Sequence, residues 1–311
     1  MFRSWAKPLL IVLTLAAAAA LAQQTVIRVD VKLVHVTATV KNKNGELVGT
    51  LQKNEFELYD RGVRQEISVF QRKTELPLSV SLLIDISGST GKDLKYETDS
   101  ASRFLKALLA EGNPEDAVEL FAFNYDITRL RYWTRNYASL ERSLKGLHPE
   151  GSTSVHDAVW YAARDLDPRE GRKAIVIIID GADTTSSRTV HQALEAAQLS
   201  DAVIYPIVVM PITNDAGRST GGEHALEFLA QGTGGRTFYP SVGAELDRAL
   251  TDIVNELRTQ YVLGFYPRNV PLSKDRFHKL EVRVTVPGLR VSARNGYYGD
   301  SEGDSARTGS R

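Results

Sequence analysis

Asp85, Ser87 and Ser89 stand at alternate positions where an apolar run ends, in Leu82-Leu83-Ile84-Asp85-Ile86-Ser87-Gly88-Ser89-Thr90. A carboxylate and two hydroxyls so close together are hard oxygen donors, the set that suits a divalent cation of the same kind. Gly88 lets the chain bend among them, and a helical pattern follows. The three donors would therefore lie on a strand-to-helix turn, at the carboxyl end of a strand, where open α/β sheets bind ligands. Ser and Asp are also common turn and N-cap residues, so the triplet gains meaning only from the elements that position it.

Those elements alternate. Leu78–Ile84 reads as a strand. Leu94, Ala101, Phe104, Leu105, Leu108 and Leu109 then recur at helical spacing, and Asn113-Pro114 breaks the pattern. Val118–Phe123 is a second strand and Leu130–Trp133 a weaker one, followed by a short helix with Leu140, Leu144 and Leu147. Gly151-Ser152-Thr153-Ser154 leads into a helix carrying Val155, Ala158, Val159, Ala162 and Leu166. The aliphatic run Ala174–Ile179, expected of a strand covered on both faces, ends in Asp180-Gly181. Helices near 189–199, 223–230 and 244–257 and strands at 203–209 and 237–239 complete the set. Repeated strand–helix units predict a doubly wound, mostly parallel sheet with helices on both faces.

Three loops thus share one end of this sheet: Asp85/Ser87/Ser89, Thr153 and Asp180. Over residues 77–257 the chain resembles the von Willebrand factor type A family, and these residues match its metal-ion-dependent adhesion site: Asp-x-Ser-x-Ser, a distant Thr in a Gly-x-Thr loop, and Asp-Gly at a strand end. The resemblance implies that Ser87, Ser89 and Thr153 are direct or switchable ligands, and that Asp85 and Asp180 act directly or through water. It implies Mg2+, with Mn2+ or Ca2+ as alternatives, and an open position filled by an Asp or Glu of a partner protein. Two carboxylates and three hydroxyls leave residual positive character on a divalent ion, which an outside carboxylate would complete. Asp157 reads instead as a residue of a first helical turn, Asp183 as a turn residue, and His148 and His156 as surface or packing residues.

The flanks have a different grammar. Ile27, Val29, Val31 and Leu33 alternate with polar residues, and the apolar set then shifts to Val34, Val36, Ala38 and Val40. A shift by one residue turns the other face inward, so a bulge, bend or break is expected near Leu33. Asn44-Gly45 signals a hairpin. Phe56 and Leu58, then Ile67 and Val69, mark strands on either side of an Arg61-Gly62 turn. After the α/β segment, Tyr261, Leu263 and Phe265 alternate, as do Leu280, Val282, Val284 and Val286, with Val291 in a further strand. Neither flank has enough core to stand alone. The expected organisation is a signal peptide (1–22), an N-terminal β segment (23–75), the α/β domain (76–258), a C-terminal β segment (259–299) that pairs with the first in a small β-sandwich, and a disordered tail (300–311). Two separate hairpin layers packed on the α/β domain are the alternative. The whole layout also resembles the secreted von Willebrand factor A-related proteins of acidobacteria, through Val29-Asp30-Val31-Lys32-Leu33-Val34, Asn54–Asp60, Tyr261–Pro267 and Arg294–Tyr298.

The bulk properties narrow the function. With 38 basic and 38 acidic side chains, nothing in the balance suggests nucleic acid or a polybasic membrane surface. Arg3 and Lys7, an apolar stretch from Pro8 to Ala20 and Ala20-Leu21-Ala22 have the form of a secretory signal, which predicts export to the periplasm or beyond. The stretch is short of the ~20 residues that span a bilayer, so no integral span is expected after cleavage. There is no cysteine, which excludes disulfides, cysteine zinc sites and thiol catalysis. No His-Glu-x-x-His, Gly-x-Ser-x-Gly or nucleotide-binding Gly-rich loop occurs. The expected function is a cation-dependent protein-binding module and not an enzyme. The alternatives are an envelope protein with a fold-stabilising metal, a metal-assisted hydrolase, and an accessory subunit of an ATPase complex.

Overall fold

Antiparallel strands flank a run of alternating strands and helices in the computed structural model, which describes residues 33–72, 76–110, 112–210, 220–271 and 276–299. The expected signal peptide, the alternation from Ile27 to Val31 and the expected tail from 300 lie outside the described residues. The elements before the α/β segment are β1 (Val34–Lys41), β2 (Phe56–Asp60), β3 (Val63–Gln65) and β4 (Ile67–Arg72). Then come β5 (Leu78–Asp85), α1 (Leu94–Ala110), β6 (Ala117–Phe123), β7 (Ile127–Thr134), α2 (Tyr137–Leu144), α3 (Val155–Leu166) and β8 (Arg172–Ile179). The remainder are α4 (Val190–Leu199), β9 (Ala202–Val208), α5 (Thr220–Thr233), α6 (Ala244–Thr259), β10 (Tyr261–Phe265), β11 (Phe277–Val284), β12 (Arg290–Ala293) and β13 (Gly296–Tyr298).

The central sheet has the order β7-β6-β5-β8-β9. Its pairs are parallel except β6 with β7. β5 sits in the middle and is buried along its whole length, which is why it reads as an almost unbroken apolar run. Val80, Leu82 and Ile84 pack with Phe104, Leu140 and Leu250 from α1, α2 and α6. Leu83 faces the other layer, with Val159, Leu194 and Leu229 from α3, α4 and α5. This is the doubly wound α/β body that the strand–helix alternation predicts. The expected strand at 237–239 is reduced to two isolated parallel bridges, Ile207 with Phe238 and Met210 with Ser241. α4 starts at a capping box in which Thr189 and Gln192 satisfy each other's backbone N–H groups.

The flanking strands form two four-stranded sheets, β12-β1-β10-β4 and β13-β11-β2-β3. Each mixes strands from both sides of the α/β body: β1 pairs with β10 and β12, and β2 with β11. Val36, Ala38, Phe56, Leu58, Leu263, Phe265 and Leu280 close one apolar core between them. Neither flank could bury this face alone, so the sandwich needs both. Arg61 and Gly62 both have positive φ, +48° and +80°, the form of a two-residue hairpin turn, and they join β2 to β3. The Asn44-Gly45 turn forms, with Asn42 N–H donating to the Glu46 carbonyl at 3.0 Å. No second strand follows it, only a single bridge from Lys41 to Leu47. The Tyr261 hydroxyl intercepts the returning chain, accepting from Leu51 N–H at 3.0 Å and donating to the Val48 carbonyl at 2.7 Å. Among the described residues no helix is long and apolar enough to cross a membrane.

Candidate metal centre

Asp85 ends β5 and is wholly buried. Its Oδ1 accepts the Ser87 N–H at 2.7 Å, an Asp turn that swings the chain off the strand and presents the next hydroxyls. Ser87 Oγ lies 3.0 Å from Ser89 Oγ, and Ser89 Oγ donates to Asp180 Oδ1 at 2.8 Å. Asp180 follows directly on β8, the parallel neighbour of β5, so the register of two strands brings the carboxylates to one crevice. Four of the five expected residues are thus linked by a continuous chain of contacts.

Thr153 reaches the same end by its backbone. Gly88 N–H donates to the Gly151 carbonyl at 2.9 Å, and Glu150 N–H to the Ile86 carbonyl at 2.8 Å. The Thr153 carbonyl accepts the N–H groups of Thr184 and Thr185 at 2.8 and 3.1 Å. It is therefore held between the loops that carry Ser87 and Asp180. Among the described residues, no hydrogen bond ties its hydroxyl to the other four donors. Gly151 has φ +77°, and a Cβ there would stand 2.4 Å from the Tyr125 ring. Only glycine combines that conformation with so close an approach. Tyr125 remains half exposed on the rim.

The remaining acids of these loops are already engaged. Asp157 accepts from Ser187 N–H at 2.9 Å, Arg188 N–H at 3.0 Å and the Arg188 guanidinium at 3.1 Å. That guanidinium lies 3.7 Å from the centre of the Trp160 ring, so Asp157 pins the loop after Asp180. Asp183 accepts from Ser186 Oγ at 2.5 Å and His156 N–H at 3.2 Å, a turn role. His156 Nδ1 lies 3.5 Å from Asp183 Oδ2 and His148 is exposed; among the described residues no hydrogen bond links either ring to the four donors.

The electrostatics of the crevice are one-sided. Burial pushes the Asp85 carboxyl up to about 7; the Ser87 bonds oppose this and the charge of Asp180 adds to it. Burial also raises Asp180. Beneath them Glu97, in the first turn of α1, is pushed up to about 8 by burial and then by Asp180, Asp85 and Asp93. Among the described residues no basic side chain is a cause of any of these three shifts. The Oδ2 of Asp85 is buried without a partner, an expensive state for a carboxylate. Oxygen donors, an orphaned carboxylate oxygen and uncompensated negative charge together fit a hard divalent cation. Among the described residues no three His, Cys, Asp or Glu side chains converge closely enough to hold a metal by themselves, so a cation there would need the hydroxyls as well.

Sequence reasoning passed over Glu97. Its signal was present: Leu94, Glu97, Ala101, Phe104 and Leu108 form one buried stripe of α1, and a carboxylate on an apolar stripe is out of place.

Comparison with known proteins agrees with the fold of the α/β body. Residues 80–182 match the model of the von Willebrand factor type A domain. No curated protein matches the chain. The von Willebrand factor domain of the type V pili tip protein Mfa5 from Porphyromonas gingivalis superposes with a TM-score of 0.51 at 16% identity, covering 59% of this chain and 96% of that one. The PilB minor pilin from Streptococcus sanguinis gives a TM-score of 0.47 at 15% identity, over 60% of this chain and 62% of that one. BatB from Bacteroides thetaiotaomicron gives 0.46 at 23% identity, over 58% and 97%. At these identities the likeness is one of fold. The segment that matches the von Willebrand factor type A domain model runs from β5 through the Asp180 loop, and the α/β body has the fold of such a domain.

Proposed function

We propose that the protein is an exported binding module that uses a divalent cation, Mg2+ in the first instance, to engage an acidic side chain of a partner protein. The observation that carries this reading is the Asp85–Ser87–Ser89–Asp180 chain at the mouth of the sheet, with a buried carboxylate oxygen left unpaired. Asp85, Ser87, Ser89, Thr153 and Asp180 would hold the ion. When bound, it would supply a Lewis-acidic position facing solvent, where a carboxylate completes both charge and coordination. Tyr125, half exposed beside Gly151, offers an aromatic rim to whatever docks there.

We favour binding over catalysis because the hydroxyls of Ser87 and Ser89 are engaged with each other and with Asp180, and no histidine partners them. Export rests on the signal-like residues 1–22. That the Mfa5 pilus-tip domain shares the fold is consistent with a role outside the cell. The test is selection of phage-displayed peptides on the immobilised protein in Mg2+. Enriched peptides should carry Asp or Glu, elute with EDTA, and fail to bind Asp85→Ala. Peptides without an acidic residue, or retained in EDTA, would contradict the proposal.

A further inference from the structure

Glu97 belongs to no part of the Asp-x-Ser-x-Ser motif, yet it lies in the first turn of the helix that follows the motif and is close enough to feel the charges of Asp180 and Asp85. The side chain is 0% exposed, and neither carboxylate oxygen has a hydrogen-bond partner. Its neighbours along α1 are Leu94 and Ala101 on the same buried stripe. The charges that reach it are those of Asp180, Asp85 and Asp93, all negative. Among the described residues no hydrogen bond or basic side chain rewards a carboxylate at this position, and an apolar residue of similar size would satisfy the packing. The feature that would reward it is positive charge on the far side of Asp85 and Asp180.

We propose that Glu97 is a third acid of the cation site, a positioning residue that acts on the ion from behind Asp85 and Asp180 without touching it. This rests on the cation reading of the site. Glu97 stands in the first turn of α1, whereas Ser87, Thr153 and Asp180 stand on loops and Ser89 on a short 3-10 turn (Gly88–Lys92), so its carboxyl group is placed before the ion arrives. Asp85 and Asp180 alone bring the formal charge around a divalent ion to zero, and Glu97 takes it to −1. Two consequences follow from the same charge. The bare ion is held more tightly than by Asp85 and Asp180 alone. The open position keeps less positive character, so the partner's carboxylate is bound more weakly and exchanges more readily. Glu97 therefore sets how binding strength is divided between ion and partner.

The experiment is a Mn2+ titration of the full chain, following free Mn2+ by electron paramagnetic resonance, on the parent, Glu97→Gln, Glu97→Asp and Asp85→Ala. Melting in EDTA establishes that each variant is folded. Glu97→Gln keeps the shape and removes the charge; it should melt no lower than the parent in EDTA yet bind Mn2+ about tenfold more weakly or worse. Glu97→Asp should retain most of the affinity. At saturating Mn2+, an acidic peptide should bind Glu97→Gln more tightly than the parent, an outcome that a purely structural role for Glu97 would not produce. Parent-like Mn2+ affinity in folded Glu97→Gln, with Asp85→Ala inactive, would overturn the role of Glu97 and leave the site standing. Absence of Mn2+ binding by the parent would overturn both.

Discussion

Replacing Asp85 by Asn should stabilise the metal-free protein at pH 8 while abolishing its response to cations. The Asp85 carboxyl titrates near 3.8 in an unfolded chain and is pushed up to about 7 in the folded one. Between those values the folded state holds a proton that the unfolded state has lost, so stability falls as pH rises through this window. A rise of that size is worth about 4 kcal/mol once the pH exceeds both values. Asn is neutral throughout and can still accept the Ser87 N–H, but its amide would be unpaired where Oδ2 now stands, which costs about 1–3 kcal/mol. The net gain at pH 8 is about 1–3 kcal/mol, or roughly 3–10 °C in melting temperature for a chain of this size. Near pH 5 the parent carboxyl is already protonated, and Asp85→Asn should melt level with the parent or slightly below it. The assay is thermal melting in EDTA at both pH values, then with Mg2+ or Mn2+. If Asp85→Asn melts below the parent by the same amount at pH 8 as at pH 5, the buried, uncompensated carboxylate is not what the structure describes.

Other perturbations test the surrounding framework. Ser89→Ala removes the hydroxyl between Ser87 and Asp180, and the cation-induced rise in melting temperature should shrink or vanish while the EDTA melt changes little. Gly151→Ala places a Cβ against Tyr125 at a positive φ; a loss of about 1–2 kcal/mol in urea unfolding is expected, with weaker cation binding as the Thr153 loop shifts. Asp157→Ala releases the amides of Ser187 and Arg188, whose hydrogen exchange should accelerate while exchange in β8 stays slow. In the sandwich, Tyr297→Phe removes the 2.6 Å hydrogen bond to the fully buried Asp60 and should destabilise by about 1–3 kcal/mol, read as a lower urea midpoint with cation affinity unchanged.

The α/β body was legible because its strands are buried on both faces and its helices on one. The run Ala174–Ile179 and the stripe of α1 could hardly be arranged otherwise. The sandwich was legible as a need: two flanks with apolar faces and no independent core. Its register was not, because strand pairing depends on partners more than 200 residues away, such as Leu280 opposite Asp60. The hairpin suggested by Asn44-Gly45 shows the limit of local signals. The turn forms, but Tyr261, brought in from the far flank, claims the chain that would have made the second strand. At the candidate site, Asp85, Ser87, Ser89, Thr153 and Asp180 were expected together from the family resemblance, with both carboxylates at strand ends; the structure links four of them by hydrogen bonds and leaves the Thr153 hydroxyl out of that chain. Glu97 was missed because helical periodicity was read from the residues that fit it, and a buried, unpartnered carboxylate does not.

The most direct test of the central claim is the anomalous difference map of crystals soaked in Mn2+. The account predicts a single strong peak at the end of β5, roughly 2–2.5 Å from the hydroxyl oxygens of Ser87 and Ser89, which disappears in Asp85→Ala. No peak there at millimolar Mn2+, or a peak unaffected by Asp85→Ala, would contradict it.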